Sequence, residues 1–194
     1  MSWKHTIGII GAFFLTAPLA GCVGAETDDS EYDEIDEIDE DLGEASDGIA
    51  SAKYIYVKAH KGDNINILCR VPAEPVLYDS GQLKFSGKIT CGTKMQKIEI
   101  SKAATFYKLT SSGTPVQHHA TIGFSGSNTD NKTYSDLSLC KAGSKTVYWG
   151  GAITWKLTWP SGWTVVPSSS YSSSGNVASG TLKGNYTAYN VGCK

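Results

Sequence analysis

The sequence predicts an all-β protein: an antiparallel β-sandwich, Ig-like or jelly-roll-like, with a β-barrel as the alternative. From Lys53 onward, short runs alternate between apolar and polar residues. Gly, Ser, Asn and Pro separate these runs, and no long run has helical period. Roughly eight to ten strands of this kind are typical of a sandwich. The chain has 194 residues, 40% of them hydrophobic, which is enough for one domain with a core.

The first 21 residues have the pattern of an export signal. Lys4 and His5 precede an apolar run from Thr6 to Ala20, and small residues end the run. This run is too short to cross a bilayer comfortably, because a spanning helix needs about 20 apolar residues. We therefore exclude residues 1–21 from the folded domain and expect the protein to be exported.

The end of this signal, Leu19-Ala20-Gly21-Cys22, resembles the lipobox of bacterial lipoproteins. The resemblance covers only the signal and its cleavage point, and it implies cleavage before Cys22, lipidation of the Cys22 thiol and anchoring in a membrane. Val23 stands where enteric lipoproteins retained in the inner membrane carry Asp. The resemblance therefore favours the outer membrane of a bacterial envelope, with the inner membrane or secretion as alternatives.

The cysteine count predicts two disulfides. Five cysteines are present, and lipidation of Cys22 leaves an even number in an oxidising compartment. Cys69 and Cys91 each end an inward-facing row, so they form the preferred pair, which leaves Cys140 to pair with Cys193. No CxxC or paired Cys/His spacing indicates zinc, and the sequence predicts no metal and no cofactor.

Residues 22–52 predict a disordered acidic tether. Residues 26–47 contain 13 Asp or Glu and no Lys or Arg. Residues 53–194, the predicted β domain, contain six acids and 16 basic residues, a net charge of +10. Such an acidic run cannot bury enough apolar surface to fold, and self-repulsion extends it. It either spaces the domain from the membrane or also covers the domain's basic face, and the sequence leaves both roles open.

Within residues 53–194, the apolar residues of each run share one face, and we expect that face to be buried. The predicted rows are Ile65, Ile67 and Cys69; Leu83, Phe85, Ile89 and Cys91; Ile98 and Ile100; Tyr107 and Leu109; Leu137 and Leu139; and Tyr189, Val191 and Cys193. Tyr54 and Tyr56 alternate with Ile55 and Val57, which predicts a strand that is either buried on both faces or at an edge.

The clearest strand runs from Ala152 to Trp159, and it carries most of the aromatic rings. Trp155 and Trp159 share its apolar face, so we assign them, with Trp149, to the core rather than to a sugar-stacking platform. Trp163 follows Pro160-Ser161-Gly162, a turn signal, and is the candidate aromatic contact for a ligand.

Lysines near Cys91 form a candidate polyanion-binding face. Lys84 and Lys88 have the opposite parity to Leu83 and Phe85, so both side chains point to solvent. Such a face attracts polysaccharide or another polyanion, although it also serves solubility and edge protection. The single arginine argues against specific recognition of nucleic acid.

The sequence predicts no catalytic residues. His118 and His119 are adjacent, and neighbouring residues on a strand point to opposite faces, so they are not expected to bind one metal, and a structural or solvent-facing role is preferred. The predicted protein is a membrane-anchored module, displayed at the cell surface or in the periplasm. It binds a ligand or has a structural role, and it does not catalyse a reaction. The alternative is an exported hydrolase acting on envelope or extracellular polymers. The oligomeric state is left open.

Overall fold

Strands form almost everywhere that apolar and polar residues alternate, because an extended chain places successive side chains on opposite faces. The computed structural model describes residues 51–63 and 65–193. The expected signal peptide, the lipidation of Cys22 and the acidic tether up to residue 50 lie outside these residues. The described strands are β1 (Lys53–Lys61), β2 (Ile65–Ala73), β3 (Leu77–Asp79), β4 (Gln82–Lys108), β5 (Val116–Thr121), β6 (Phe124–Thr158), β7 (Thr164–Val165), β8 (Ser172–Ser174), β9 (Val177–Lys183) and β10 (Thr187–Cys193).

One hydrogen-bonded sheet contains all of these strands. Its main path runs β7-β1-β2-β4-β6-β9-β8, while β3 and β5 pair with β4, and β10 pairs with β6. The two long strands pair along two separate stretches: residues 82–100 with 124–139, interrupted between residues 90 and 95, and residues 97–108 with 148–158. In each stretch the residue numbers rise along β4 as those of their partners fall along β6, so the pairing is antiparallel.

The sheet folds back on itself, so that the two stretches of β4–β6 pairing face each other. A side chain at Gly151, in the second stretch, would collide with the ring of Phe85, in the first. This close approach places the core between the two stretches. The fold is therefore all-β and antiparallel. Its sheet is nearly closed, so the architecture is intermediate between a sandwich and a barrel. The predicted fold class is confirmed.

The sheet closes on one side through β7, but no backbone ladder closes the other side within the described residues. Val165 of β7 donates its N–H to the oxygen of Gly175, between β8 and β9, at 2.8 Å. On the other side, β5 pairs only with β4, and residues 131–139 of β6 also pair only with β4. We call the region where these edges meet, Val116–Thr121 of β5 and Tyr134–Cys140 of β6, the β5–β6 seam.

The core confirms the interpretation of the three tryptophans. Trp155 and Trp159 are at most 1% exposed and Trp149 is 3% exposed, and they pack with Ile153 and Leu157. The intervening residues of this run are partly or fully exposed. Each aromatic ring removes about 150–250 Å² from water, so this run supplies much of the apolar burial.

Both predicted disulfides are present. Cys69–Cys91 and Cys140–Cys193 each join residues that face each other on neighbouring strands. Their sequence separations are 22 and 53 residues. Each bridge is expected to stabilise the fold by about 3–4 kcal/mol, because it restricts the unfolded chain. The second bridge holds β10 against the end of the β5–β6 seam.

The predicted inward row of Leu137 and Leu139 is wrong. These side chains are 49% and 71% exposed. The residues that face the interior in this stretch are Tyr134, Asp136, Ser138 and Cys140. Cys140 has to point inward to reach Cys193, and the alternation of a strand then turns the odd-numbered leucines outward. Leu109, predicted to be buried with Tyr107, is also exposed, because it lies past the end of β4.

Candidate functional site

The outer face of β1, β2 and β4 combines aromatic rings with positive charge. Tyr54 and Tyr56 are 42% and 45% exposed. Their strand is therefore not buried on both faces, and its outer neighbour β7 pairs with it over only two residues. Tyr56 faces Arg70 on β2, and Arg70 faces Thr90 on β4, so these side chains lie in one row across the sheet.

Arg70 contacts the Tyr54 ring, and the Tyr54 ring contacts the Tyr56 ring. Its guanidinium carbon lies 5.0 Å from the centre of the Tyr54 ring, a cation–π contact. The Tyr54 and Tyr56 rings meet edge to face with their centres 5.4 Å apart. The nearest acid is Glu74, whose Oε1 lies 3.8 Å from Arg70 Nη2. The face therefore offers exposed aromatic rings beside a cation that is only partly neutralised.

Lys84 and Lys88 are both exposed on this outer side of β4. Within the described residues neither forms an ion pair, whereas Lys97 is paired with Glu99 at 2.7 Å. Lys58 is exposed on β1 with the same parity as the tyrosines. Together these residues form the aromatic–basic face: Tyr54, Tyr56, Lys58, Arg70, Lys84 and Lys88.

Trp163 lies elsewhere and is less accessible than a loop tip would make it. The turn before it forms as the sequence predicts, with Gly162 at a φ of +86°, and the Trp163 N–H donates to the Pro160 oxygen at 3.4 Å. The ring is partly buried and packs against the core. The next residue, Thr164, pairs with His60, so Trp163 lies near the opposite end of β1 from Tyr54.

A second candidate site lies at the β5–β6 seam, and it begins with a β-bulge. Thr105 of β4 faces His119, and the next residue, Phe106, faces Gln117, so His118 is an extra residue in β5. A bulge breaks the alternation of side chains. Both histidines consequently reach the same part of β6, and the expectation that they point to opposite faces is wrong.

His119 and its neighbours surround a buried carboxylate. Asp136 is fully buried. It accepts hydrogen bonds from the Thr105 backbone N–H at 3.0 Å, from Thr121 Oγ1 at 2.9 Å and from His119 Nδ1. A buried charge is tolerated only when its hydrogen bonds are satisfied, and the Thr105 N–H is available because the bulge interrupts the ladder there.

His118 forms the other contact across the seam. Its Nε2 lies 2.7 Å from Ser138 Oγ, and its ring meets Trp149 edge to face with the centres 5.2 Å apart. Burial lowers the pKa of His118, and the neighbouring His119 lowers it further, although the Asp136 charge opposes both effects. The imidazole is therefore neutral at pH 7, and a neutral ring keeps one nitrogen as an acceptor.

Two surface depressions adjoin this cluster, and both have Gly192 and Cys193 in their walls. The larger measures about 650 Å³ and has His119, Ser138 and Lys141 in its wall. The smaller measures about 250 Å³ and has His118 and Trp149 in its wall. The seam thus brings titratable side chains to concave surface.

One signal in the sequence could have revealed the buried half of this cluster. Once Cys140 is taken as an inward-facing disulfide partner, Asp136 and Ser138 share its parity and must also point inward. The histidines carry no comparable signal, because the bulge depends on how β5 pairs with β4.

Two features are absent from the described residues. No three His, Cys, Asp or Glu side chains there are arranged to hold a metal ion. The same part of the chain contains no helix with the length and apolarity needed to span a membrane.

Comparison with known proteins finds no matching family model, no similar curated protein and no similar solved structure.

Proposed function

We propose that this protein is a lipid-anchored component of a bacterial envelope, whose basic β domain binds an acidic polysaccharide or another polyanion without catalysis. The observation that carries the proposal is the aromatic–basic face. Exposed aromatic rings stack on sugar rings, and unpaired lysines attract carboxylate or sulfate groups. The net charge of +10 over residues 53–194 draws a polyanion to the whole domain, and the face orients it.

The binding test uses the mature chain, exported behind a non-lipoprotein signal so that it carries no acyl group. Polygalacturonate and dextran sulfate are titrated at low salt, with neutral dextran as the control ligand. We expect both polyanions to bind and neutral dextran to bind far more weakly. Added salt should weaken polyanion binding, because exposed charges are screened. Equal binding of neutral dextran would contradict the role of charge.

A pair of triple variants localises the site. Replacing Arg70, Lys84 and Lys88 with Gln is expected to weaken polyanion binding about tenfold, at about 0.5 kcal/mol for each exposed charge. The matched control replaces three exposed lysines on other surfaces, Lys145, Lys156 and Lys183, with Gln. Equal losses in the two variants would leave a nonspecific charge effect and remove the face from the proposal.

The anchor has its own test. Full-length protein made in a bacterium is expected to incorporate a labelled fatty acid and to sediment with membranes, and Cys22→Ala is expected to abolish both. Removing the acidic residues 26–47 then separates the two roles of the tether. Tighter polyanion binding at low salt means that the tether covers the basic face, and unchanged binding means that it is a spacer.

An exported hydrolase is the second candidate, because His118 Nε2 lies within hydrogen-bonding distance of Ser138 Oγ. In a serine triad, the carboxylate orients the same imidazole that contacts the serine. Here Asp136 bonds to His119 instead, so the arrangement favours binding over catalysis. Turnover of p-nitrophenyl butyrate that disappears in Ser138→Ala would establish the hydrolase in place of the binding module.

A further inference from the structure

We propose that the polyanion bound by the aromatic–basic face is the surface of an anionic lipid bilayer, onto which the outer side of the sheet docks. The inference rests on the proposed function, because it names the class of ligand for the same face. Three observations favour a lipid surface over a soluble polysaccharide: the exposed leucines that continue the face, the basic side chains between them, and the charge of the domain.

The exposed apolar side chains of the described residues are concentrated on this side of the sheet. Nine large apolar residues there are at least 42% exposed. Six of them lie on the outer side of β1, β2, β3 and residues 131–139 of β6: Tyr54, Tyr56, Leu68, Leu77, Leu137 and Leu139. The other three, Leu109, Val116 and Ile122, lie at the ends of β4 and β5. Single exposed apolar residues are ordinary, but a concentration of them on one face marks an interaction surface.

The exposed leucines alternate with lysines across the sheet. Leu77 of β3 and Leu137 of β6 are the two cross-strand partners of Lys84, and both are 49% exposed. On the other side of the face, Leu68 of β2 is paired with Lys58 of β1. Directly paired residues share one face of a sheet. At an anionic bilayer the leucines enter the acyl boundary, while the long lysine stems carry their charge to the headgroups.

The apolar residues lie at both ends of the face, so they can meet a planar partner together. On one edge of β4, β3 pairs with residues 82–84 and β2 pairs with residues 90 and 91, while β6 pairs on the other edge. The row of Leu77 and Leu137 crosses β4 at Lys84, and the row of Tyr56 and Arg70 crosses it six residues later. Six residues of strand span about 20 Å. Tyrosine is a residue of membrane interfaces, and leucine supplies the apolar contact at the far end.

The charge of this side complements an anionic surface. Two acids lie near the face: Glu74, 3.8 Å from Arg70, and Asp79, which accepts a hydrogen bond from Ser80. The three lysines of the aromatic–basic face form no ion pair within the described residues. A second copy of the chain would bring these lysines against each other, whereas anionic lipids attract them. A soluble polysaccharide stacks on the tyrosines but leaves the leucines in water.

The test is vesicle flotation with the mature, non-lipidated chain. Vesicles of equal parts phosphatidylcholine and phosphatidylglycerol are compared with vesicles of phosphatidylcholine alone. We expect binding to the mixed vesicles and much weaker binding to the neutral ones. Dextran sulfate is titrated in parallel, because it measures polyanion binding in the absence of a lipid phase.

A leucine variant tests the apolar contact separately from the charge. Replacing Leu77 and Leu137 with Ser is expected to weaken binding to mixed vesicles about tenfold, since each side chain loses roughly half of the transfer free energy of a full leucine. Binding of dextran sulfate should not change. The matched control replaces Leu109 and Val116, which are 66% and 48% exposed outside the face, with Ser. It should leave vesicle binding unchanged.

A tryptophan at the leucine position reports the contact without relying on a loss of binding. Trp149, Trp155 and Trp159 are at most 3% exposed, so an added surface indole dominates the response to lipid. On mixed vesicles, the emission of Leu137→Trp should shift to shorter wavelength and be quenched by brominated acyl chains. Leu109→Trp should show neither change.

The outcomes separate this inference from the proposed function. Binding of dextran sulfate without binding of mixed vesicles would overturn the lipid surface and leave the polyanion face in place, whereas failure of both would remove both. Equal binding to neutral and mixed vesicles, or equal effects of the two double Ser variants, would also overturn it. Dimerisation in analytical ultracentrifugation that the leucine variant abolishes would assign the face to a second copy of the chain instead.

Discussion

Strand β6 contains one stretch that follows the usual apolar pattern and another that inverts it. In residues 153–157 the buried face carries Ile153, Trp155 and Leu157. In residues 134–139 the buried face carries Tyr134, Asp136 and Ser138, and the leucines face solvent. Both stretches pair with β4 in the same antiparallel manner. The difference shows that apolarity alone does not decide which face of a strand is buried.

In the inverted stretch, the register of the strand pairing decides which face is buried. Nine consecutive residues, 82–90, pair with residues 131–139, and the Cys140–Cys193 bridge pins the end of that ladder. Slipping the register by one residue would bury the leucines, but it would also turn Cys140 and Tyr134 outward. The buried polar groups are tolerated because β5 and β4 supply their hydrogen bonds, three of them to Asp136.

The largest expected difference between the stretches comes from removing one apolar side chain from each. Trp155→Ala is expected to lower the free energy of unfolding by about 3–5 kcal/mol, because the ring is buried against Tyr171 and Gly180. Leu137→Ala should change it by less than about 0.5 kcal/mol. Urea denaturation followed by far-UV circular dichroism measures both. A comparable cost for Leu137→Ala would mean that the second stretch is not inverted.

In the inverted stretch, replacing a buried polar side chain should lower the free energy of unfolding, as replacing a buried apolar side chain does elsewhere. Asp136→Leu is expected to cost about 3 kcal/mol, since it leaves the Thr105 N–H and the His119 and Thr121 side chains without their acceptor. Asp136→Asn should cost less, because it keeps one acceptor oxygen.

Chemical denaturation measures the cost of both substitutions. Asp130→Asn, at an exposed aspartate of the same strand, is the control and should be near neutral. Stabilisation by Asp136→Leu would show that the carboxylate is retained for function alone.

A smaller effect tests the close packing across the inverted stretch. A Cβ added at Gly87 would overlap the hydroxyl of Tyr134, which donates to the Pro72 oxygen at 2.7 Å. Burial raises the pKa of Tyr134, so the hydroxyl stays protonated as the donor. Gly87→Ala should therefore cost about 2 kcal/mol in thermal or urea unfolding. Gly192→Ala, where the added carbon has open space, is the matched control, and equal costs would refute the contact.

The smallest expected effect is a pH dependence from His118. Burial, with help from His119 and against Asp136, lowers its pKa in the folded protein below the ordinary value of 6.5. The unfolded chain therefore binds the proton more readily, and this histidine makes stability fall as the pH drops below about 6.5, until the folded-state pKa is passed.

Unfolding free energies at pH 7.5 and pH 5.5 measure this dependence. His118→Gln should reduce the loss on acidification relative to the unaltered chain. An identical pH dependence in His118→Gln and the unaltered chain would exclude His118 as the cause.

The sequence predicts the fold well because the relevant signals are local or follow from parity. The apolar face of residues 152–159 identified the buried tryptophans, and two inward rows ending at Cys69 and Cys91 identified a disulfide. Parity also placed Lys84 and Lys88 in solvent. The prediction for Leu137 and Leu139 is wrong because apolarity and the parity of Cys140 disagree there, and the parity prevails in the structure. The sequence does not predict the accessibility of Trp163, because a turn signal does not show how the ring packs.

By itself, the sequence determined the all-β class, the tryptophan core and the opposite charges of the N-terminal segment and the domain, and it favoured the disulfide pairing that the structure has. Only the tertiary structure decided that His118 and His119 meet Asp136 and Ser138 beside a depression. Alternation and cysteine parity are properties of single strands, so they are readable along the chain. A bulge and a seam depend on how separate strands pair and which edges they leave unpaired, and the closure of the sheet sets both.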